Sequence, residues 1–147
     1  MIIEYLQKIG LSLLLGALIG SEREYNDKPC GLRTIMLVCL GATLFTIVGL
    51  SFDKPNLDSL RLLYASIIGI GFLGGGVIMQ KGKSVEGITT ASTLWAMVGV
   101  GLCCGIGQYQ IAIVSTLAIF LVLMLKYVKV QIKGIRKRRK KRNSNET

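Results

Sequence analysis

Long apolar runs separated by short polar stretches dominate the pattern of hydrophobic and polar positions along this chain. An 18-residue helix is about 27 Å long, which is close to the roughly 30 Å of hydrocarbon in a bilayer. The pattern therefore predicts an all-α fold, a polytopic membrane helix bundle with five transmembrane helices and glycine-rich interfaces. The five runs are Ile2–Gly20, Arg33–Leu50, Leu62–Met79, Ile88–Ile106 and Ile111–Tyr127.

The first run leaves two alternatives open. It could be a cleaved signal peptide, but Glu4 and Lys8 balance each other where a signal peptide is basic. The charged stretch Ser21–Glu24 also follows where a small-residue cleavage site belongs, so retention is favoured. In the other alternative the first run lies at the membrane interface, which leaves four spans and the same side for the C-terminal tail.

Positive charge is concentrated after the last run. The net charge is +10, and ten of the 18 Lys and Arg residues follow position 125. We therefore predict a transmembrane domain, residues 1–127, and a basic cytoplasmic tail, residues 128–147. A basic run can bind nucleic acid, but directly after a membrane helix it favours anionic lipid headgroups. The residues predicted to anchor the tail at headgroups are Arg136, Lys137, Arg138, Arg139, Lys140, Lys141 and Arg142.

Loop charges predict the orientation of the bundle. With the tail in the cytoplasm and five spans, the loops Ser21–Leu32 and Gln80–Gly87 are cytoplasmic as well. Fifteen Lys and Arg residues then lie inside, and only Lys8, Lys54 and Arg61 lie outside. This bias agrees with the positive-inside rule and places the N-terminus outside.

Residue types exclude several kinds of chemistry. The chain contains no histidine, which rules out catalysis or metal binding by histidine. The four cysteines form no CxxC pair, and we interpret them as small buried residues in preference to a zinc or disulfide framework. No nucleophile–base pair or metal motif is visible, so the sequence predicts neither an enzyme nor a bound cofactor.

Glycine occupies eleven of the 39 positions between residues 69 and 107. It is a poor helix former, so its abundance in apolar helices indicates either close helix packing or a helix break. Pairs four residues apart share a helix face and usually mean packing. Three consecutive glycines, Gly74–Gly76, could instead break a helix and expose backbone groups to a ligand. The glycines predicted to pack or break helices are Gly16, Gly20, Gly71, Gly74, Gly75, Gly76, Gly101 and Gly105.

A polar group lies at the predicted cytoplasmic ends of the runs. Charges at such positions usually extend to the membrane surface. Glu22 and Glu24 are two residues apart and cannot share a helix face, so one carboxylate could instead face inward, with Arg33 as a suitable partner. By default, hydroxyls that open the fourth run cap that helix or bond back to its carbonyls. The predicted functional cluster comprises Glu22, Arg23, Glu24, Arg33, Thr34, Thr89 and Thr90.

In order and spacing these motifs resemble the membrane domain of the MgtC/SapB family, from about residue 14 to about residue 118. Gly75 stands where the family more often has alanine, and Ser92 stands where a second alanine is usual. The stretches that carry the resemblance are Gly16–Glu24, Gly31–Thr34, Gly41–Ala42, Gly69–Gly76, Gly87–Ala91, Trp95 and Gly105–Gly107.

The resemblance implies a bacterial inner-membrane protein connected with growth at low magnesium and, in pathogens, with virulence. Family members are reported to act on the F-type ATP synthase or on the membrane potential. Members implicated in intracellular survival often carry a soluble C-terminal domain, and the basic tail stands in its place here. A function that requires the soluble domain is therefore not implied.

Two hypotheses for the function follow. In the first, the protein is a regulator that binds a membrane partner, such as ATP synthase, through its glycine-lined helices. In the second, it is a small transporter or channel for magnesium or another ion, with its site at Gly74–Gly76, Thr89, Thr90 and the Glu22/Arg33 cluster. Magnesium prefers oxygen ligands, commonly carboxylates, and the acids here lie in loops or at span ends, which favours the first hypothesis. The expected partners are the lipid bilayer, anionic headgroups, a membrane protein and a second copy of the chain.

Overall fold

The computed structural model describes residues 2–51 and 59–125 of the chain. This part forms five helices, at the positions of the five apolar runs, and the fourth run coincides with its helix at both ends. A two-stranded antiparallel sheet joins the third and fourth helices. The elements are α1 (Ile2–Tyr25), α2 (Leu32–Ser51), α3 (Ser59–Val77), β1 (Met79–Lys81), β2 (Ser84–Glu86), α4 (Ile88–Ile106) and α5 (Tyr109–Leu125).

The all-α prediction is confirmed for the membrane bundle. Among the described residues, α1, α2 and α4 are long and apolar enough to cross a membrane, and Tyr64–Val77 and Tyr109–Leu125 are shorter apolar helices. The β1–β2 hairpin replaces the polar loop that the sequence predicted. Its two-residue turn places Gly82 at φ +60 in the first turn position, followed by Lys83 at negative φ, which is the pattern of a type II′ turn.

Helices α2 and α4 form the centre of the bundle. They contact each other, and each also contacts α1 and α3. Half of the apolar stretch of α4 is buried, compared with about a third for α2. Helix α1 contributes a narrower buried stripe at three- and four-residue spacing, as expected for a helix that packs along one face. The core consists mainly of Ile19, Ile35, Cys39, Leu94, Met97, Val100 and Cys104.

Two helices end in the same backbone motif. At the end of α1, Lys28 N–H donates to Arg23 O and Asp27 N–H donates to Glu24 O. Gln108 and Gly107 bond in the same way at the end of α4. Asp27 and Gly107 both adopt positive φ, so each is the left-handed residue of a Schellman motif. These stops keep the connections α1–α2 and α4–α5 short, so that the charged end of α1 meets the start of α2.

Candidate functional site

Three consecutive charged residues, Glu22, Arg23 and Glu24, lie in the last turn of α1. Successive helical residues are rotated by about 100°, so the three side chains leave the helix in different directions. Arg23 continues the buried face of α1, four residues after Ile19. Each of the three side chains has a different contact, which explains why the charges can be adjacent in sequence.

Arg23 connects α1 to α4. Its Nη2 donates a 2.7 Å hydrogen bond to Thr90 Oγ1. Both residues are buried, with 5 % and 2 % of their surface exposed. A buried guanidinium is costly unless it is paired, and bonds from a charged donor are stronger than neutral ones. This bond therefore fixes the end of α1 against the start of α4.

Glu22 lies beside Arg23 with its side chain equally buried. Its Oε1 accepts a 2.9 Å hydrogen bond from Asn26 Nδ2, one turn later in α1. Its Oε2 is 3.9 Å from Arg23 Nη1, which is an ion pair but is too long for a direct hydrogen bond. Each of the two side chains is 6 % exposed. Two buried atoms of this pair, Arg23 Nε and Glu22 Oε2, have no hydrogen-bond partner among the described residues.

Glu24 caps the next helix. Its Oε2 accepts a 2.7 Å hydrogen bond from the backbone N–H of Leu32, the first residue of α2. The first N–H groups of a helix have no partner within the helix, and a negative charge is favoured there. Gly31 permits this approach, because a Cβ at Gly31 would lie 2.8 Å from the same carboxylate oxygen. Glu24 and Gly31 together bring the end of α1 against the start of α2.

The predicted pairing of Glu22 with Arg33 is wrong. Arg33 and Thr34 are exposed on the first turn of α2, and the described partner of Glu22 is Arg23. Arg23 sits on the inward face of α1, whereas Arg33 precedes Ile35, the first buried residue of α2. Thr89 is exposed too. The structure therefore brings together Glu22, Arg23 and Thr90 from the predicted cluster and leaves Arg33, Thr34 and Thr89 outside.

Two of the three glycine pairs are closed against α2. A Cβ at Gly16 would lie 2.9 Å from Met36 Cα, and one at Gly20 would lie 2.7 Å from Leu32 Cα, so α1 and α2 touch at backbone level. On α4, a Cβ at Gly101 would overlap the carbonyl oxygen of Cys39, and one at Gly105 would overlap the Thr46 side chain. At these two pairs α2 approaches at backbone distance, as paired glycines allow.

The third pair, Gly71 and Gly75, is open. Within the part of the chain that the structure describes, no neighbouring atom lies within 4 Å of a Cβ built at either residue. The pair lines a groove of about 550 Å³, together with Gly76, Phe72 and Leu94. A neighbouring groove of about 620 Å³ separates α2 from α3 and is lined mainly by apolar and small residues. The glycine face of α3 is thus available to a helix from outside the described bundle.

The predicted helix break at Gly74–Gly76 is not present. Helix α3 continues through these glycines to Val77, and Ile78 N–H then donates to Gly75 O. Because the glycines form the last turn, the helix ends just after them. Gly74 packs against α4, where its Cβ would lie 3.6 Å from Ala91 Cβ. Gly74 therefore serves the approach of α4, Gly75 and Gly76 face the open groove, and the three glycines expose no broken backbone.

Sequence reasoning missed one buried polar contact between helices and one ion pair within α1. Thr43 Oγ1 lies 2.9 Å from both Cys39 O and Gly101 O, so its hydroxyl joins α2 to the backbone of α4 at the closed glycine pair. At the other end of the bundle, Lys8 is buried with its Nζ 2.8 Å from Glu4 Oε1, and its Cε lies beside Gly107. The i, i+4 spacing of Glu4 and Lys8 is a signal that could have identified the second contact.

The hairpin carries an exposed ion pair outside the apolar helices. Lys81 Nζ lies 2.8 Å from Glu86 Oε2, and the hydrogen bond from Lys81 lowers the pKa of the Glu86 carboxyl. In the loop before α2, partial burial raises the pKa of the Cys30 thiol, although the charge of Arg23 opposes this shift. Cys30 is therefore a poor nucleophile, which agrees with its interpretation as a small packing residue. All four cysteines are free.

The surface of the bundle defines its class. Large apolar side chains are widely exposed on its helices, among them Leu14, Ile68, Phe72, Val114 and Leu121. A soluble monomer rarely exposes such continuous apolar area, whereas lipid covers it in a membrane. Together with the three membrane-length helices, this surface identifies a polytopic helical membrane protein. The basic residues 136–142, predicted to contact headgroups, lie outside the described residues.

Comparison with known proteins places the chain more narrowly. The family model described as "MgtC family" matches residues 9–131. Protein MgtC of Salmonella typhimurium is 43 % identical over 117 residues, which cover 78 % of this chain and 49 % of the relative. Protein SapB of Bacillus subtilis is 36 % identical over 126 residues, covering 80 % of this chain and 54 % of the relative. Protein MgtC of Brucella abortus is 40 % identical over 121 residues, covering 82 % and 50 %.

The chain belongs to the MgtC family. It spans about half the length of the curated relatives that it matches. No solved structure matches it. The family assignment confirms the resemblance seen in the glycine and charge motifs, and it leaves the role of those motifs to be proposed.

Proposed function

We propose that the protein regulates a membrane partner during adaptation to low magnesium, and in a pathogen during virulence, and that it is not an enzyme. The partner that the family resemblance suggests is the F-type ATP synthase, with the membrane potential as the quantity affected. Membership of the MgtC family supports a role in adaptation to low magnesium. The site supports a binding role in preference to catalysis, because its charged groups are used to hold helices together.

The observation that carries the proposal is the open glycine pair of α3. Gly16/Gly20 and Gly101/Gly105 are each closed by α2, whereas Gly71/Gly75 faces a groove with no atom of the described bundle in it. Paired glycines let another helix approach at backbone distance, and packing rather than hydrophobicity drives helix association in a membrane. A transmembrane helix of the partner, or of a second copy of this chain, fits such a face.

We further propose the predicted orientation, with the N-terminus outside, the C-terminus in the cytoplasm and the inner membrane as the location. The Arg23–Thr90 bond joins the end of α1 to the start of α4, so the α1–α2 loop and the hairpin lie at one end of the bundle. These loops carry Lys28, Lys81 and Lys83, and positive charge on this side supports a cytoplasmic end. The basic tail follows α5 and would bind anionic headgroups there.

The alternative, a magnesium or other ion transporter, receives less support from the site. Glu22 is the buried acid at the end of α1, and Arg23 beside it offsets its charge. A carboxylate paired with arginine is a weak ligand for a divalent cation, since the guanidinium repels the ion. Purified protein in liposomes should give no magnesium flux above that of empty vesicles. A robust, saturable flux would favour the transporter instead.

Growth of a deletion strain at low magnesium tests the regulatory proposal. Gly75→Leu fills the open groove of α3 and should abolish complementation and co-purification of the partner while the protein level stays normal. Gly99→Leu is the matched control, because Gly99 is an exposed helical glycine with open space around it and does not line either groove. Normal growth with Gly75→Leu, or equal loss with Gly99→Leu, would contradict the proposal.

A further inference from the structure

We propose that Arg23 and Glu22 hold a bound water molecule between them, and that this water completes the polar contact between α1 and α4. The inference concerns a ligand site that is independent of the regulatory role. It starts from the two unpartnered atoms of the pair, the donor Arg23 Nε and the acceptor Glu22 Oε2, both of which are buried.

The guanidinium and the carboxylate form an ion pair in which no direct hydrogen bond is made. Glu22 Oε2 is 3.9 Å from Arg23 Nη1, beyond hydrogen-bond distance. Arg23 Nη2 donates to Thr90, and Glu22 Oε1 accepts from Asn26. Native proteins satisfy nearly all buried polar atoms, with ordered water where no protein group reaches. Arg23 Nε and Glu22 Oε2 are a buried donor and a buried acceptor without a partner among the described residues, and a bridging water uses both.

The charges of the site select water over an ion. The guanidinium and the carboxylate are adjacent, so the formal charge of the pair is zero. A magnesium ion would be attracted by Glu22 and repelled by Arg23, whereas a phosphate would be attracted by Arg23 and repelled by Glu22. Either ion would also lose its hydration on burial. A water molecule is neutral, accepts from Nε–H and donates to Oε2. Two to four polar partners are what a buried water requires.

The bound water gives Arg23 a second contact that holds its side chain in place. Nη2 bonds to α4 through Thr90, and Nε bonds through the water to Glu22 on its own helix. A water-mediated bond is nearly as favourable as a direct one. The bridge would stop the Arg23 side chain from turning toward the surface, and the bond to Thr90 would remain in place.

Solid-state NMR of the full chain in lipid bilayers tests the site. Magnetisation transferred through dipolar coupling reaches a side chain from immobilised water and not from bulk water. We expect a water cross-peak to the 15Nε of Arg23. The exposed Arg33 serves as the control and should give none. Arg23→Lys, which removes the Nε, identifies the Arg23 signal, and the dipolar contact to Thr90 identifies it independently if that variant does not fold.

Three results would overturn the proposal. The first is no water transfer to Arg23 Nε in a sample whose Arg23–Thr90 contact is intact. The second is a short direct distance from Arg23 Nε to the Glu22 carboxyl carbon, which would show the two groups paired without water. The third is a shift of the Arg23 Nε signal on addition of inorganic phosphate or magnesium chloride, which would show an ion in the site. An experimental structure with density for one water between the two atoms would support it.

Discussion

Arg23 donates a 2.7 Å hydrogen bond to Thr90, although the two residues are 67 positions apart in the sequence. This bond joins the last turn of α1 to the first turn of α4. It also explains why an arginine is tolerated on the buried face of a membrane helix. The bond depends on a threonine that lies, in sequence, among several other hydroxyl residues.

Thr90→Val should destabilise the protein by about 1–3 kcal/mol, because valine keeps the shape of threonine but leaves Arg23 Nη2 buried without an acceptor. Thermal unfolding in detergent would measure the loss. Thr90→Ser retains a hydroxyl and should restore most of the stability. Thr89→Val is the matched control, since Thr89 is exposed one residue earlier. Equal effects of the two valine substitutions would show that the Arg23–Thr90 bond contributes little.

Gly105→Ala should lower stability by about 1–3 kcal/mol, the usual effect of overpacking a filled contact. The added Cβ would overlap the Thr46 side chain and would lie 2.9 Å from Thr43 O. The same change at Gly71 meets open space, and alanine is the better helix former by up to about 1 kcal/mol. Gly71→Ala should therefore be neutral or stabilising. If both variants unfold at the same temperature, the closed and open glycine pairs do not differ as described.

Glu24→Ala should cost about 0.5–2 kcal/mol, the typical effect of losing a helix cap. The Leu32 N–H loses its acceptor, and the start of α2 loses a favourable negative charge. Hydrogen exchange at the Leu32 amide should become faster, while exchange in the middle of α2 stays slow. Glu24→Gln keeps a carbonyl oxygen and should be intermediate. Arg33→Ala, on the exposed side of the same turn, should leave Leu32 exchange unchanged.

Lys81→Ala should raise the pKa of Glu86 toward its ordinary value, because the hydrogen bond from Lys81 is the main cause of its lowering. The lowered pKa in the folded hairpin means that the ion pair stabilises it above the unfolded pKa of the carboxyl. That contribution is lost as pH falls through the lowered, folded pKa. An NMR titration of the Glu86 carboxyl carbon measures the shift. Lys83→Ala removes a neighbouring charge and should move the titration less.

The helices were predictable because an apolar run long enough to cross a membrane has few structures open to it other than a helix. Each described helix lies on a predicted run, and α4 has the predicted ends. The β1–β2 hairpin was not predicted, since strands of three residues are too short to show a period. Its signal was the Gly82-Lys83 turn, which is weak without a longer alternating pattern on either side.

The site was predictable in its residue types and not in its partners. Arg23 and Arg33 both lie near Glu22 in sequence, and both could pair with it. Which arginine turns inward depends on the rotation of each helix, and that rotation is set by Ile19 and Ile35 packing in the core. The sequence likewise could not predict that Gly71 and Gly75 are open. The three glycine pairs have the same four-residue spacing, and they differ only in which atoms lie opposite them.

The amino-acid sequence by itself determined the class of protein, the place of each helix in the chain and the motifs of the MgtC family, because these depend on local hydropathy and spacing. Only the tertiary structure decided that Arg23 rather than Arg33 is buried beside Glu22, that Thr90 accepts its bond, and that α3 alone among the helices with paired glycines leaves them uncovered. These depend on which helix faces which, and that is set by backbone-level contact between α1, α2 and α4 that no short stretch of sequence records.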